Sequence, residues 1–276
     1  MTEASEWVTV RVFPGSHRDA VPQALFAAGA QGVQELADSF VTHVHGPSVA
    51  NDVVCAMIAL GADVRVETEP TPDIDWSEQW KQSIGVQRLG ALTVAPPWLA
   101  ADLDRQSSII IDPGMAFGTG EHATTRGVIR LLQRVVRRGD VVADLGAGSA
   151  VLAIAAAKLG ATRVVAIEVD PDAIGNAIEN VARNGVDDHV TIIEGDAASL
   201  LPLVAPLNVI TANIISSVLL ELLPAMHTAL VPGGHAILSG ILSAERVAML
   251  SAMANDWHLV EEDSEDTWWS ATIAPR

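Results

Sequence analysis

Glycines and small polar residues crowd two stretches of this chain, DPGMAFGTGEHATT from Asp112 to Thr125 and VVADLGAGSA from Val141 to Ala150. Glycines at 114, 118 and 120 permit positive φ and let main-chain N–H groups approach a ligand with no Cβ in the way, while Pro113 fixes how the first stretch is entered. The second stretch sets Gly146 and Gly148 where a buried apolar run turns into a helix, the position at which open α/β sheets bind ligands. Two backbone-exposing turns this close point to one ligand. Glu168 follows 22 positions after Gly146, close to the roughly 20 at which a carboxylate accepts from both hydroxyls of an adenosine ribose. Asp196, in Glu194-Gly-Asp196, reads as an acceptor for an adenine amino group or as a solvated turn acid. Asp144 reads as facing an ammonium on the ligand, directly or through water, or as an acid capping its turn. Asn213 is the leading catalytic candidate, because its carboxamide both donates and accepts and can orient an incoming amine or hold the amino-acid end of the ligand. Asp170 reads as the N-cap of a helix that opens on Pro171. His122 reads as a cap or a packing residue in preference to a base.

The elements that must hold these residues form two domains. Alternating residues over 6–13, a helical pattern over 18–28, short strands over 32–36 and 40–46, a helix over 48–60 and a strand over 63–68 give the β-α-β-β-α-β order of a ferredoxin-like α+β domain, residues 1–70. Glu69-Pro-Thr-Pro-Asp73 breaks the pattern and opens a linker over 71–100, in which Trp76, Trp80 and Trp98 are expected to pack between linker and domains. From 101 to 276 helices and strands alternate as in a doubly wound parallel sheet. Strands are predicted at 141–145, 163–168, 190–194, 207–212, 235–241, 258–263 and 267–273, with helices at 124–137, 151–159, 171–184, 217–230 and 243–254. The last two strands have no room for a crossover helix, so the final one must pair antiparallel.

DPGMAFGTGEHATT, DLGAGSAVLAIAAAKLGA, EVDP, ANII, PGG and SGIL together resemble, in order and spacing, the PrmA family, the methyltransferases of large-subunit ribosomal protein eleven. DWSEQWKQSIGVQRLG and the ferredoxin-like first domain resemble that family too, so the likeness covers nearly the whole chain. It implies a class I S-adenosylmethionine-dependent methyltransferase with a Rossmann-like seven-stranded sheet. S-adenosylmethionine would be contacted at Thr125, Gly146, Glu168 and Asn213, with Phe117, Gly118 and Thr119 on a covering loop. Gly148, Asp144 and Asp196 complete the expected cofactor set. The implied reaction is attack of a neutral lysine or N-terminal amine on the sulfonium methyl, with the first domain presenting the substrate protein. The chain departs from the family pattern at Ala150, where a third glycine is usual, and at Glu168, where aspartate is usual. The added methyl is expected to crowd the cofactor and the added methylene to shift the ribose contact.

Composition narrows the alternatives. A formal charge of −18 with only 16 Lys and Arg argues against a nucleic-acid surface and favours a basic protein partner. No apolar run approaches the roughly 18 residues of a membrane span, and no secretory signal is visible at the N-terminus. The single cysteine, Cys55, suits a reducing cytoplasm and reads as a small buried hydrophobe. The eight histidines show no zinc-ligand spacing. A monomer without metal is expected. Three competing readings are a methyltransferase of another protein's lysine, such as an electron-transfer flavoprotein subunit, a non-catalytic cofactor-binding module, and a dinucleotide oxidoreductase. Val151 disfavours the last, since G-x-G-x-x-G would need glycine there.

Overall fold

Alternation in WVTVRVF puts Val10 and Val12 on a buried face and leaves Trp7 exposed, which makes Trp7–Phe13 (β1) a one-sided strand. The computed structural model describes residues 7–18, 20–30, 32–71, 84–113 and 120–276, and the chain divides into two units between Ser83 and Ile84. In the first unit β1 is followed by α1 (Val21–Ala27), β2 (Gln34–Glu35), β3 (Phe40–His45), α2 (Gly46–Leu60) and β4 (Arg65–Pro70). The four strands lie in the order β2-β3-β1-β4, each pair antiparallel, as expected of a ferredoxin-like domain. Both helices pack on one face, with Val21, Leu25, Val53 and Met57 closing a core over Val10, Val12 and Phe40. Cys55 is exposed, contrary to the sequence expectation. Helix α2 buries Ala50, Val53 and Met57, a stripe at i, i+3 and i+7, and position 55 falls on the opposite side.

The second unit begins earlier than expected. Residues 84–100, read as linker, contribute β5 (Gln87–Leu89) and β6 (Leu92–Ala95), which join β7 (Ser108–Ile110) in a three-stranded sheet. Leu89, Leu92, Val94, Ile109 and Ile111 are buried in the core of this unit. Glu121 accepts from the Gly85 N–H (2.7 Å) and the Gln87 Nε2 (3.1 Å), so the segment is fastened by polar contacts as well. Trp98 lies in a short 3₁₀ turn, Pro97–Leu99, and is 38% exposed, while Trp76 and Trp80 lie outside the described residues.

The remaining strands are β8 (Val141–Leu145), β9 (Arg163–Glu168), β10 (Val190–Glu194), β11 (Leu207–Asn213), β12 (Leu230–Leu242), β13 (Trp257–Glu265) and β14 (Trp268–Pro275). They form a seven-stranded sheet in the order β10-β9-β8-β11-β12-β14-β13. The first five are parallel; β14 pairs antiparallel with β13, as the missing crossover required, and inserts between β13 and β12. Helices α3 (Ala123–Val135), α4 (Val151–Lys158) and α5 (Pro171–Arg183) cover one face. The other face carries α6 (Ala197–Val204), α7 (Ser216–Ala229) and α8 (Arg246–Met253). Helix α6 was not expected: it is short and contains Pro202, which weakens its periodic signal, yet it buries Leu201 and Val204. Arg126, Arg130 and Arg134, four residues apart on α3, pair with Glu265, Asp263 and Glu261 of β13 and fasten the helix to the terminal hairpin.

Candidate functional site

Parallel strands aim their carboxyl ends at one rim of the sheet, and in this unit the strand order reverses between β8 and β11. A crevice is expected at that switch point. One is present, a cleft of about 540 Å³. It is walled by the turn after β8 (Gly146, Ala147, Gly148), the end of β9 (Glu168, Val169), the turn after β10 (Gly195, Asp196), the end of β11 (Asn213, Ile214), Gly240 of β12 and Trp268 of β14. His122, Thr124 and Thr125, at the start of α3, close the remaining side.

The glycine turn keeps its donors to itself. The N–H groups of Gly146 and Ala147 donate to Ile167 O (2.9 and 3.1 Å), and Ala150 N–H donates to Ala147 O (2.8 Å). Gly148 N–H donates to Glu168 Oε2 at 2.7 Å. These four amides are therefore not aimed at a phosphate, and no Lys or Arg stands among the described residues of the cleft wall. Its charged side chains are the acids Glu168 and Asp196. A cleft of this electrostatic character favours a cationic ligand over a pyrophosphate.

Glu168 is 8% exposed and also accepts from the N–H groups of Val169 (2.8 Å) and Asp170 (2.9 Å). Three backbone donors hold the carboxylate in place, and a carboxylate with about four acceptor positions keeps capacity for a ligand hydroxyl. Asp170 caps α5 through the Asp172 N–H (3.0 Å), as its position before Pro171 predicts. Asp196 lies on the wall and at the same time caps α6, accepting from Ser199 N–H (2.9 Å) and Ser199 Oγ (2.7 Å). Those bonds, the hydroxyl's first, hold its carboxyl below the usual carboxylate range.

Asp144 is placed differently from the rest. It is fully buried and is not part of the cleft wall. Its Oδ1 accepts from Thr211 Oγ1 (2.7 Å) on the neighbouring strand, and its Oδ2 from Ala153 N–H (3.1 Å) in the first turn of α4. Of the two sequence readings, the geometry gives the capping acid. Burial pushes its carboxyl up to about 6, against the opposing pull of the Thr211 and Ala153 bonds. Ala150 likewise stands off the wall: its methyl is buried in the core, so the expected crowding of the cofactor does not arise. What Ala150 carries instead is strain, a φ of 65° in the left-handed region that a glycine would occupy freely.

His122 caps α3. Its Nδ1 accepts from Thr124 N–H (3.4 Å) and lies 2.7 Å from Thr124 Oγ1. Burial first, and then the neighbouring Arg126, hold the ring below its ordinary value. A neutral imidazole with Nδ1 accepting carries its proton on Nε2 and is poorly placed to take another. Its ring meets Trp268 edge to face at 5.0 Å. Asn213 Nδ2 approaches the fully buried Thr125 Oγ1 at 3.5 Å, the long limit of a hydrogen bond, which leaves the carboxamide oxygen at the cleft wall available to accept.

A family model described as ribosomal protein L11 methyltransferase (PrmA) matches residues 18–275. The chain belongs to that family. Among curated relatives, the ribosomal protein L11 methyltransferase of Symbiobacterium thermophilum is 42% identical over 208 residues, covering 72% of this chain and 65% of the relative. That of Chloroflexus aurantiacus is 40% identical over 213 residues, covering 68% and 65%. That of Thermus thermophilus is 38% identical over 201 residues, covering 72% and 77%. The chain thus spans about 65% of the length of the first two relatives. A crystal structure of ribosomal protein L11 methylase from Lactobacillus delbrueckii subsp. bulgaricus superposes with a TM-score of 0.62 at 31% identity, covering 69% of this chain and 98% of that one. In this member of the PrmA family, Thr125, Gly146, Gly148, Glu168, Asp196 and Asn213 share one cleft. Phe117, Gly118 and Thr119 lie outside the described residues. Sequence reasoning missed Trp268, whose place on the wall depends on β14 inserting beside β12, and Gly240, which the register of β12 on β11 sets beside Ile214.

Proposed function

We propose that this chain is an S-adenosylmethionine-dependent methyltransferase that transfers methyl groups to lysine or N-terminal amines of ribosomal protein L11. The observation that carries the reading is the switch-point cleft of a PrmA family member whose described wall bears two acids and no Lys or Arg, and whose glycine-turn amides are spent internally. A sulfonium cofactor suits such a cleft, and a dinucleotide with its pyrophosphate does not. Glu168 would hold the ribose hydroxyls, with Val169 and Ala197 as apolar surface for the base and Asp196 within reach of its amino group. When bound, the cofactor supplies an electrophilic methyl on a positively charged sulfur.

The residues of the chain then have three tasks. An ammonium of reference pKa near 10.4 costs roughly 4 to 5 kcal/mol to deprotonate at neutral pH, and burial of the amine against Ile214, Ile215, Val218 and Trp268 reduces that cost by disfavouring the charged form. Asn213, through its carboxamide oxygen, accepts an N–H of the neutral amine and aims its lone pair. Thr125, fully buried behind it, sets the carboxamide's angle. Since His122 accepts through Nδ1, the amine's proton leaves to solvent before transfer, and positioning supplies most of the acceleration.

Methyl transfer from radiolabelled S-adenosylmethionine to purified ribosomal proteins tests the reading: label is expected in L11 and absent from its neighbours. Asn213→Ala should lower the rate about tenfold, the worth of one hydrogen bond made at the reacting nitrogen. Full activity in that variant would remove Asn213 from its role, and label in another protein would displace the substrate.

A further inference from the structure

Helix α5 and its C-cap carry asparagines at 176, 180 and 184, one every fourth residue, and they form a ladder along one face. The extended chain from Ile110 to Asp112 runs beside them and is hydrogen-bonded by their side chains as if by a neighbouring strand. Asn184 Oδ1 accepts from Ile110 N–H (2.8 Å) and its Nδ2 donates to Ile110 O (2.7 Å). Asn180 repeats the pairing one pleat on, accepting from Asp112 N–H (2.9 Å) and donating to Asp112 O (3.1 Å). Asn176 adds a bond to Asp112 O at 3.1 Å.

Asn180 does one thing its neighbours do not. It is fully buried, and its Nδ2 also lies 3.2 Å from the carbonyl of Ser149. That carbonyl belongs to the peptide that joins Gly146-Ala-Gly148-Ser149 to Ala150, the residue held at φ 65°. A non-glycine residue keeps a left-handed conformation only where its surroundings over-determine it. The Asn180 amide is such a surrounding, because rotating the Ser149–Ala150 peptide would break this buried hydrogen bond. Gly148, whose N–H is the donor to Glu168, lies in the same turn two residues before Ala150.

We infer that Asn180 is a positioning residue for cofactor binding: standing off the described cleft wall, it locks the strained glycine turn, and through Gly148 the Glu168 carboxylate, to the segment from Ile110 to Asp112. The inference rests on the cofactor reading above for its ligand, and on the turn alone for its mechanics.

Asn180→Asp and Asn184→Asp form a matched pair. Each keeps an oxygen to accept from the N–H of Asp112 or Ile110; Asn180→Asp loses the donations to Asp112 O, Ser149 O and Asn176 Oδ1, and Asn184→Asp those to Ile110 O and Asn180 O, so that only the change at 180 releases the glycine turn. Arg183 Nη1, 2.7 Å from Asn180 Oδ1, partners a carboxylate placed there. Calorimetric titration with S-adenosylhomocysteine, well below both melting temperatures, should show at least tenfold weaker binding for Asn180→Asp and a change within about threefold for Asn184→Asp. Hydrogen exchange of the Gly148 amide, measured without ligand, should quicken tenfold or more in Asn180→Asp alone. The alanine pair carries the same comparison if either aspartate variant does not fold. Equal effects from positions 180 and 184, or unchanged Gly148 exchange in the position-180 variant, would overturn the inference. Failure of the unsubstituted protein to bind S-adenosylhomocysteine would instead overturn the cofactor reading, with the exchange comparison still deciding the role of Asn180.

Discussion

Gly240→Ala is expected to cost the second unit at least about 3 kcal/mol, lowering its melting temperature by roughly 6 to 12 °C for a unit of this size. Gly240 has φ 81° in β12, within the stretch where the pairing with β14 shifts register between Leu238 and Ile241. A Cβ built there would stand 2.4 Å from Ile214 O and 2.8 Å from Ile214 C. Both effects act together, since the left-handed conformation penalises any side chain and the obstacle is backbone, which cannot swing aside. The strain would be relieved only by moving Ile214, and Asn213 is its neighbour on the cleft wall. Cofactor affinity should therefore fall along with stability. Gly175→Ala on α5 is the control: nothing lies within 4 Å of a Cβ there, and an exposed helical position should gain up to about 1 kcal/mol. Chemical denaturation of the two variants side by side checks the contrast. If Gly240→Ala unfolded at the same denaturant concentration as the unsubstituted protein, the close approach of β12 to Ile214 would be wrong.

Which parts of this arrangement could be read from the sequence follows from how local their causes are. The five parallel strands and the helices α3, α4, α5, α7 and α8 carry their own apolar runs and stripes, and Asp170 before Pro171 announces a helix start by itself. The antiparallel pairing of β14 with β13 followed from a chain too short to cross over, whereas its insertion beside β12 is a long-range contact. Strands β5 to β7 were hidden because they are three or four residues long and gain their burial from contacts with the larger core, not from an internal pattern. At the site, Glu168 and Asn213 were legible because strand ends place them there. Asn180 was not, although its repeat with Asn176 and Asn184 is visible: the residues it serves, Asp112 and Ser149, are 68 and 31 positions away. For Asp144 the sequence left two readings open, for a related reason. Its partner Thr211 stands opposite it only through the register of β11 on β8, where Thr211 pairs with Asp144.

Asp144→Asn should separate the two roles open to that acid, and should do so with a distinct dependence on pH. A buried carboxyl raised to about 6, against about 4 when unfolded, binds its proton more tightly in the native state. In the interval between those values the native state holds more protons than the unfolded state, so stability falls as pH rises from about 4 to about 6 and then levels. The contribution is fully present below pH 4 and, at its upper bound, about 3 kcal/mol smaller at pH 7. Asparagine removes the titration. Its oxygen can accept from Ala153 N–H while its Nδ2 donates to Thr211 Oγ1, whose own hydroxyl then turns to Ala143 O, 3.4 Å away. Both contacts of position 144 are kept, and the charge-dipole benefit lost at the start of α4 is roughly 0.3 to 1 kcal/mol. Relative to the unsubstituted protein, Asp144→Asn should thus gain stability as pH rises from 4 to 7, by about 2 to 3 kcal/mol in urea unfolding. A difference that stays flat across that range would show that Asp144 is not held protonated by burial. Because Asp144 stands off the cleft wall, affinity for S-adenosylhomocysteine at pH 8 should change by less than about threefold. A loss of tenfold or more there, with the fold intact, would return Asp144 to the ammonium of the ligand, reached directly or through water.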